Sequence, residues 1–586
     1  MNTLLISVAA LLWFMLGYIF YGRFIEKTLV QPDDSATTPA HTMTDGVDYA
    51  PSKRTFLWGN HFASIAGAGP IIGPILAVSI FGWGPTLLWV LLGALFMGAV
   101  HDYLSLMISV RHQGVGIAQL AESILGRTVR LVFAVLLFIV LVLLIAVFMV
   151  SVAQALIHVP ALVIPTLGLV AIAVVLGLAV ERWGIHAGEA SVAAVLLAYF
   201  LIWVGYKVPI ALPASWGHQA AVATWCVVLA VYCLWASVSP IWLLLRPRDF
   251  ISSVKLVVGI VLGFAAIAVI HPGIDAPFLA DGFMAHGKPL WPMLFIMVAC
   301  GAISGFHSLV STGTTSRQLN RQKDGRPIAF GGMLMEGVLA MMVIMLVAGG
   351  LKWGMAPAGV SGQAANLYFG TALSKSWIVA FGSAFGNLVG SLGIPILTIP
   401  LAALVGSVMV KSFILTTLDA GTRLARFLVT ESLGEQVPVF NNRWLASLVV
   451  LVPALLIAVT DSYHDVWRLF GAANQLIAAL ALITITAYLA QAKLPKAYTL
   501  WPAVFMLATT IAALLWESLG GAAGYLTADQ PDWSLGITSM VLVLLAVVIA
   551  VRGLTGLARG SGRQPGPMDQ ASRPVDAKLG GHHLKF

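Results

Sequence analysis

Ionisable residues inside apolar stretches are the first candidates for chemistry. His101 and Asp102 are adjacent in an otherwise uncharged run from Pro85 to Val110. His307 lies in "SGFHSLVSTGTTSRQL", Ser304 to Leu319, and Glu336 in "GMLMEG". Lys411 precedes "FILTT", and Asp419 and Arg423 share "TTLDAGTR". A charge in hydrocarbon is costly, so such groups are paired, spend part of their time protonated, or face a wet cavity; they are functional candidates by default. Asp419 and Arg423 are spaced i,i+4 and can pair on one helix face. That pair reads either as a salt bridge holding the helix at its cytoplasmic end or as a gate, with Arg423 the gating cation. Asp102 is then the first candidate for a proton that loads and unloads, and Glu336 the second. Lys411 joins a site or snorkels to the interface.

Hydroxyls form a second set. Ser304, His307 and Ser308 are candidates for substrate binding, and Ser311, Thr312, Thr416 and Thr417 for ion coupling. Each single hydroxyl also has a plainer reading as packing between membrane helices. Asn474 and Gln475 in "FGAANQLIAAL" either line a pathway or bridge helices. The third set is a run of helix breakers, "NHFASIAGAGPIIGPILA", Asn60 to Ala77, with Gly67, Gly69, Pro70, Gly73 and Pro74. Proline inside a helix costs about 3 kcal/mol, yet it is tolerated in a first turn. The chain is therefore predicted to unwind at 66–69 and restart at Pro70. The new helix would aim its N-terminal N–H groups into the membrane centre. Irregular backbone at that depth lines a cavity or is buried in protein, and discontinuous helices of this kind build transporter sites. His61, Ser64, Gly67, Ala68, Gly69 and Pro70 become substrate-binding candidates; a merely kinked structural helix is the alternative.

These residues need a membrane to hold them. The chain has 586 residues, 59% hydrophobic and 10% charged, with a net charge of +8. Its mean hydropathy is +0.93. That composition belongs to an all-α polytopic membrane protein. Apolar spans are read at 3–22, 60–80, 85–110, 129–157, 161–181, 190–207, 219–245, 250–271, 290–312 and 329–351. They continue through a long stretch at 377–418 and spans at 444–460, 467–490, 499–517 and 535–556. The first span is too long and lacks the basic flank of a signal peptide. Residues 23–57 and the tail from 557 to 586 read as loop or disorder. Basic residues favour the cytoplasmic side. Arg23, Lys27, Arg111, Arg127, Arg130, Arg246, Arg248, Lys255 and Arg317–Arg326 are counted in cytoplasmic loops. This puts the N-terminus outside and the C-terminus inside. The count requires an odd number of crossings, about 15 to 17. The stretch 377–418 then crosses once on balance, with Pro395 and Pro400 marking an interruption. Cys226, Cys233 and Cys300 lie in apolar spans, which argues against disulfides and zinc. No Walker lysine loop or HExxH is present, so no cofactor, metal, catalytic residue or nucleic-acid partner is expected.

Together these stretches resemble the carbon starvation protein family, the CstA-type transporters. The similarity runs over about residues 55–490 and rests on "NHFASIAGAGPIIGPILA", "SGFHSLVSTGTTSRQL", "GGMLMEG", "TTLDAGTR" and "FGAANQLIAALAL". It implies a bacterial inner-membrane importer of peptides or small carboxylates such as pyruvate. It also implies a LeuT/APC-like inverted-repeat core with discontinuous helices and extra peripheral ones. On that frame 59–490 is the core, with helices 219–271 inserted, 190–207 as core helix five and 290–312 as the second broken helix. Residues 1–58 form an N-terminal unit and 491–556 add C-terminal helices. Where long family members carry an acidic residue before "FILTT", this chain has Lys411. Proton-coupled symport is the leading reading, with a small-molecule substrate and membrane lipid as partners. A sodium symporter and an intramembrane metal-dependent enzyme using His61, Asp102 and His307 are the alternatives.

Overall fold

Membrane-length apolar runs become helices because lipid offers no partner for a free backbone N–H or C=O. The computed structural model describes residues 2–558 apart from 46–47, 281, 435, 460–462 and 521–523. The tail expected at 557–586 therefore lies almost wholly outside the described residues. In chain order the main helices are α1 (Thr3–Val30), α2 (Arg54–Ile65), α3 (Gly69–Phe81), α4 (Trp83–Arg111), α5 (Arg127–His158) and α6 (Val163–Glu181). Then come α7 (Ala187–Lys207), α8 (Gly217–Val238), α9 (Leu245–Ile270), α10 (Leu290–Met297), α11 (Gly305–Val310) and α12 (Gly331–Gly350). The last are α13 (Trp377–Gly390), α14 (Ile399–Leu433), α15 (Arg443–Ala458), α16 (Tyr463–Gln491), α17 (Ala497–Leu519) and α18 (Trp533–Ala558). Among the described residues twelve helices are long and apolar enough to cross a membrane, and Trp377–Gly390, Arg443–Ala458 and Trp533–Val548 are shorter apolar ones. Large apolar side chains such as Leu5, Phe20, Leu196 and Val231 are exposed on the outer helices. That is the surface a lipid-embedded protein presents.

Two helices are discontinuous. The chain leaves α2 at Ala66 (φ −74°, ψ 50°) and re-enters a helix at Gly69, with Pro70 in the first turn. This agrees with the expected break to within a residue. The second break separates α10 from α11. Val298 (φ −99°, ψ 59°) ends α10, and Ser304 is extended (φ −133°, ψ 133°) before α11 begins. The two broken helices cross where side chains are missing. A Cβ on Gly69 would fall 2.3 Å from Cys300 Sγ, and one on Gly73 would fall 2.4 Å from the Met297 carbonyl.

The stretch 377–418 is two helices. Gly390 meets Ile399, Gly386 meets Ala403 and Gly382 meets Ser407, so α13 runs antiparallel to the start of α14. Glycines at every fourth position let the backbones approach closely. At 14 residues α13 is about 21 Å long, short of a ~30 Å hydrocarbon core. An α13 that turns back within the hairpin is the arrangement the expected odd number of crossings requires.

Residues 23–57 depart from the expected loop or disorder. α1 continues to Val30, and the segment after it is fastened to residues 317–323. Ser52 N–H donates to the Gln318 carbonyl at 3.1 Å, Asp33 N–H donates to Gln322 Oε1 at 3.2 Å, and Arg317 stacks over Tyr49. Polar composition suggested solvation; the backbone groups instead find partners across the chain.

Candidate functional site

A cavity of about 500 Å³ reaches from the end of the molecule where α3 stops down to the two breaks. Gly69 and Cys300 lie at its inner end, and Ile72, Leu76 and Ile80 of α3 line one wall. Trp377, Trp467 and Phe470 add aromatic faces. Lys288, Lys375 and Arg468 also line it, and among the described residues no carboxylate does. Arg468 pairs with Glu517 at 2.9 Å, and Lys375 donates to Asn366 Oδ1 at 2.6 Å. The balance of charge in the cavity favours anionic groups.

Behind the breaks four ionisable side chains form a buried chain. His101 Nδ1 is 2.7 Å from Asp102 Oδ1, and Asp102 Oδ2 is 2.9 Å from His307 Nδ1. His307 Nε2 lies 3.2 Å from Glu336 Oε2, in ion-pair range though outside hydrogen-bond geometry. All four are fully buried. They come from α4, α11 and α12, so three separate elements must be placed correctly to assemble them. His307 is brought there by the second break, since α11 restarts only two residues before it. It lies beside the backbone of Ile65, the last helical residue before the first break. An imidazole with a carboxylate at each nitrogen satisfies both only as imidazolium, when both nitrogens donate. With Asp102 and Glu336 on either side, the trio is neutral when it holds two protons and carries one negative charge when it holds one. Such a group can take up and give back a single proton.

Asn474 links cavity and chain. Its Oδ1 accepts from Phe306 N–H at 2.9 Å, capping the restart of α11, and its Nδ2 donates to Ser304 Oγ at 3.0 Å. Cys300 Sγ is within 3.6 Å of Ser304 Oγ. The neighbouring Gln475 donates to the Phe295 carbonyl and so ties α16 to α10.

A second buried network joins α8, α9 and α14. Arg248 pairs with Asp419 through both terminal nitrogens, with Asp249 at 2.6 Å, and with Tyr232 Oη at 2.5 Å. Lys255 Nζ donates to Ser412 Oγ at 2.8 Å. Two expectations are corrected here. Asp419 does not pair with Arg423; Arg248 takes it, and Arg423 donates to the Ser239 carbonyl and lies 3.8 Å from Asp48. Lys411 does not snorkel; it is fully buried and donates to Thr166 Oγ1. A third correction concerns the charge count. Arg248 and Lys255, read as loop cations, are buried within α9.

The remaining candidates separate clearly. Of the substrate set, Gly69 lines the cavity. Gly67 packs on α14, where an added Cβ would lie 2.5 Å from Thr417 Oγ1, and Thr417 faces the Ser64 carbonyl at 3.4 Å. Ala68 is buried in the break and Pro70 in the first turn of α3, and Ser304 ends the second break four residues after Cys300. Ser308 and Thr312 donate along their own helix, to the Gly305 and Ser308 carbonyls, and Thr416 donates to the Ser412 carbonyl. Ser311 Oγ is buried without a hydrogen-bond partner. His61 faces Thr315 Oγ1 at 2.9 Å and does not join Asp102 and His307, as an enzyme reading would need. Among the described residues no cluster of three or more His, Cys, Asp or Glu is arranged to hold a metal. Cys300, Arg248, Asp249, Tyr232 and the cationic cavity wall were not singled out from sequence. The charges of α9 inside an apolar run were the available clue, and they were spent on topology.

Comparison with known proteins identifies the family. The family model of carbon starvation protein CstA matches residues 2–513. A peptide transporter CstA of Mycobacterium tuberculosis is 33% identical over 564 residues, covering 83% of this chain and 71% of that protein. That of Bacillus subtilis is 30% identical, covering 94% and 96%. The pyruvate/proton symporter BtsT of Escherichia coli is 31% identical, covering 88% and 81%. Among solved structures the chain is similar to MhsT in complex with L-phenylalanine, at 11% identity and a TM-score of 0.49 over 86% of this chain and 99% of that one. The chain is a member of the carbon starvation protein CstA family.

Proposed function

We propose that this chain is a proton-coupled secondary transporter that imports small carboxylate-bearing nutrients, peptides or pyruvate-like acids. It is a transporter and not an enzyme. The observation that carries the reading is the buried His101–Asp102–His307–Glu336 chain set directly behind the breaks that end the cavity. A substrate carboxylate entering past Lys288, Lys375 and Arg468 meets the start of α3 at Gly69, where the positive end of the helix dipole favours an anion. The cavity volume suits a dipeptide as well as a smaller acid. Occupancy is passed along Cys300, Ser304 and Asn474 to the restart of α11, and so to His307.

In this reading the core is an inverted repeat in which α2–α3 and α10–α11 are the two broken helices. α9, rather than α7, takes the fifth place. Ser253 of α9 donates to the Gly59 carbonyl of α2 at 3.1 Å, and Lys255 of α9 reaches Ser412 of α14. The cavity opens to the outside of a bacterial inner membrane. The contacts of Asp33, Tyr49 and Ser52 with residues 317–322, with the Arg317–Glu431 pair at 3.2 Å, close the cytoplasmic side. The N-terminus is then outside and the C-terminus inside.

The test uses purified full-length protein in proteoliposomes, with radiolabelled pyruvate and dialanine under imposed pH or sodium gradients. An inward proton gradient should drive accumulation of at least one of them. Accumulation driven by sodium alone would reject proton coupling, and accumulation of neither under any gradient would reject the transport reading for this substrate class.

A further inference from the structure

Where α14 ends and α15 begins, buried arginines outnumber the acids beside them. Arg423 and Arg426 lie one turn apart on α14 and are 3% and 5% exposed. Arg423 gives one terminal nitrogen to the Ser239 carbonyl, while its Nε and Nη1 are buried without a hydrogen-bond partner. Arg426 Nε is also buried and unpartnered, and its guanidinium stacks 4.4 Å from the centre of the Phe427 ring. Arg317 stacks over the same ring at 5.2 Å. A guanidinium carries five N–H donors, and taking them out of water without acceptors is costly.

The surrounding charges do not supply the acceptors. Arg317, Arg423, Arg443 and Asp48 are within electrostatic range of Arg426. Asp48 Oδ1 stands 3.8 Å from Arg423 Nη1, beyond hydrogen-bond distance. Glu431 is taken by Arg317 at 3.2 Å. Asp249 acts on Arg423 from further off and is bonded to Arg248 at 2.6 Å. Among the described residues the group therefore sets Arg317, Arg423, Arg426 and Arg443 against Asp48 and Glu431. It also lies beside a lipid-facing surface. Trp444, Leu448, Val452 and Leu456 recur every fourth residue along α15 and are all exposed. Arg443, exposed, stands immediately before that stripe.

We propose that Arg423, Arg426 and Arg443 bind an anionic phosphate group, supplied by a phospholipid headgroup whose chains lie along α15 or by free phosphate. Guanidinium groups pair with phosphate oxygens through parallel N–H bonds, and basic pockets between membrane helices hold anionic headgroups. The phosphate oxygens take the donors for which the protein has no acceptor. Arg443 meets the anion at the surface and Arg426 meets it from beneath, so the bound group ties the end of α14 to the start of α15. The proposal stands apart from the transport reading, and its test uses no transported substrate.

The test uses purified full-length protein in detergent, titrated with short-chain phosphatidylglycerol, short-chain phosphatidylcholine and inorganic phosphate. Binding is read from the rise in thermal midpoint and, for the lipids, from adducts in native mass spectrometry. Phosphatidylglycerol or inorganic phosphate should bind about tenfold or more tightly than phosphatidylcholine, whose choline cancels the phosphate charge. Arg426→Gln should weaken that binding by about tenfold or more, the loss of one hydrogen bond to a charged group. Lys496→Gln, which removes an exposed cation elsewhere, should bind as wild type does. Inorganic phosphate as effective as phosphatidylglycerol assigns the site to a free anion; a response to the lipid alone assigns it to a headgroup. Binding of neither anion, equal binding of phosphatidylcholine, wild-type binding by Arg426→Gln, or an equal loss in Lys496→Gln would overturn the proposal. Arg443 is exposed, so Arg443→Gln keeps the fold and repeats the test where Arg426→Gln does not fold; unchanged binding in it would overturn the proposal as well.

Discussion

The two buried networks use similar numbers of charges for different ends. Asp102 and Glu336 face imidazoles, which gain and lose protons under ordinary conditions. Asp419 and Asp249 face a guanidinium, which does not. The first network joins α4, α11 and α12 next to both breaks, so its proton count is tied to the elements that line the cavity. The second locks α9 to α14 with a permanent cation and two carboxylates. On the proposed reading, which cation sits beside a buried carboxylate separates a coupling site from a clamp.

The largest expected effect breaks the clamp. Arg248→Met leaves two buried carboxylates without their counter-charge, a loss of about 3–5 kcal/mol. Thermal unfolding in detergent should show a strongly lowered midpoint, and Asp419→Asn should do the same. A wild-type midpoint in Arg248→Met would show that the pair is not holding α9 and α14 together. The relay predicts the opposite pattern. Glu336→Gln should keep folded protein and lose gradient-driven accumulation.

Next is the crossing of the broken helices. Gly69→Leu puts a side chain where even a Cβ would meet Cys300, so uptake should fall to background while the protein still reaches the membrane. Near-normal uptake would show that the cavity floor is not on the substrate path. Cys300 offers a milder probe of the same place. A small impermeant thiol reagent should block uptake, substrate should protect, and Cys300→Ser should be insensitive.

Much of this contrast was legible in the sequence. The breakers between Gly67 and Pro74 announce the first discontinuity because backbone cost and depth can both be read from residue order. His101, Asp102, His307 and Glu336 stand out as ionisable groups in apolar runs. Their convergence does not, since i,i+3 and i,i+4 spacing reports faces within one helix and says nothing about partners hundreds of residues away. That is why Asp419 was matched with Arg423, its neighbour in sequence, rather than with Arg248. The same limit hid Lys255, whose charge reads as a loop cation until α9 is seen to begin at Leu245. The fastening of Asp33 and Ser52 is hidden from the sequence because their partners, Gln322 and Gln318, lie far along the chain.

Smaller effects sharpen the link between cavity and relay. Asn474→Ala removes the cap on α11 and should cost about 1–3 kcal/mol of stability. It should also allow proton entry without substrate, read as acidification of the vesicle interior in its absence; a tight vesicle would argue that Asn474 only bridges helices. His61→Gln, which keeps a hydrogen-bonding group toward Thr315, should change uptake least, by less than about threefold. A loss as large as that of Glu336→Gln would bring His61 back into the site.

The most direct test of the account is Asp102→Asn in proteoliposomes, with uphill accumulation and substrate exchange measured side by side on the same preparation. The variant mimics the protonated carboxyl in shape and charge. If Asp102 is part of the group that carries the coupling proton, accumulation against a gradient should be lost while exchange of internal for external substrate persists and depends less on pH. Uphill accumulation at the wild-type level would contradict the assignment.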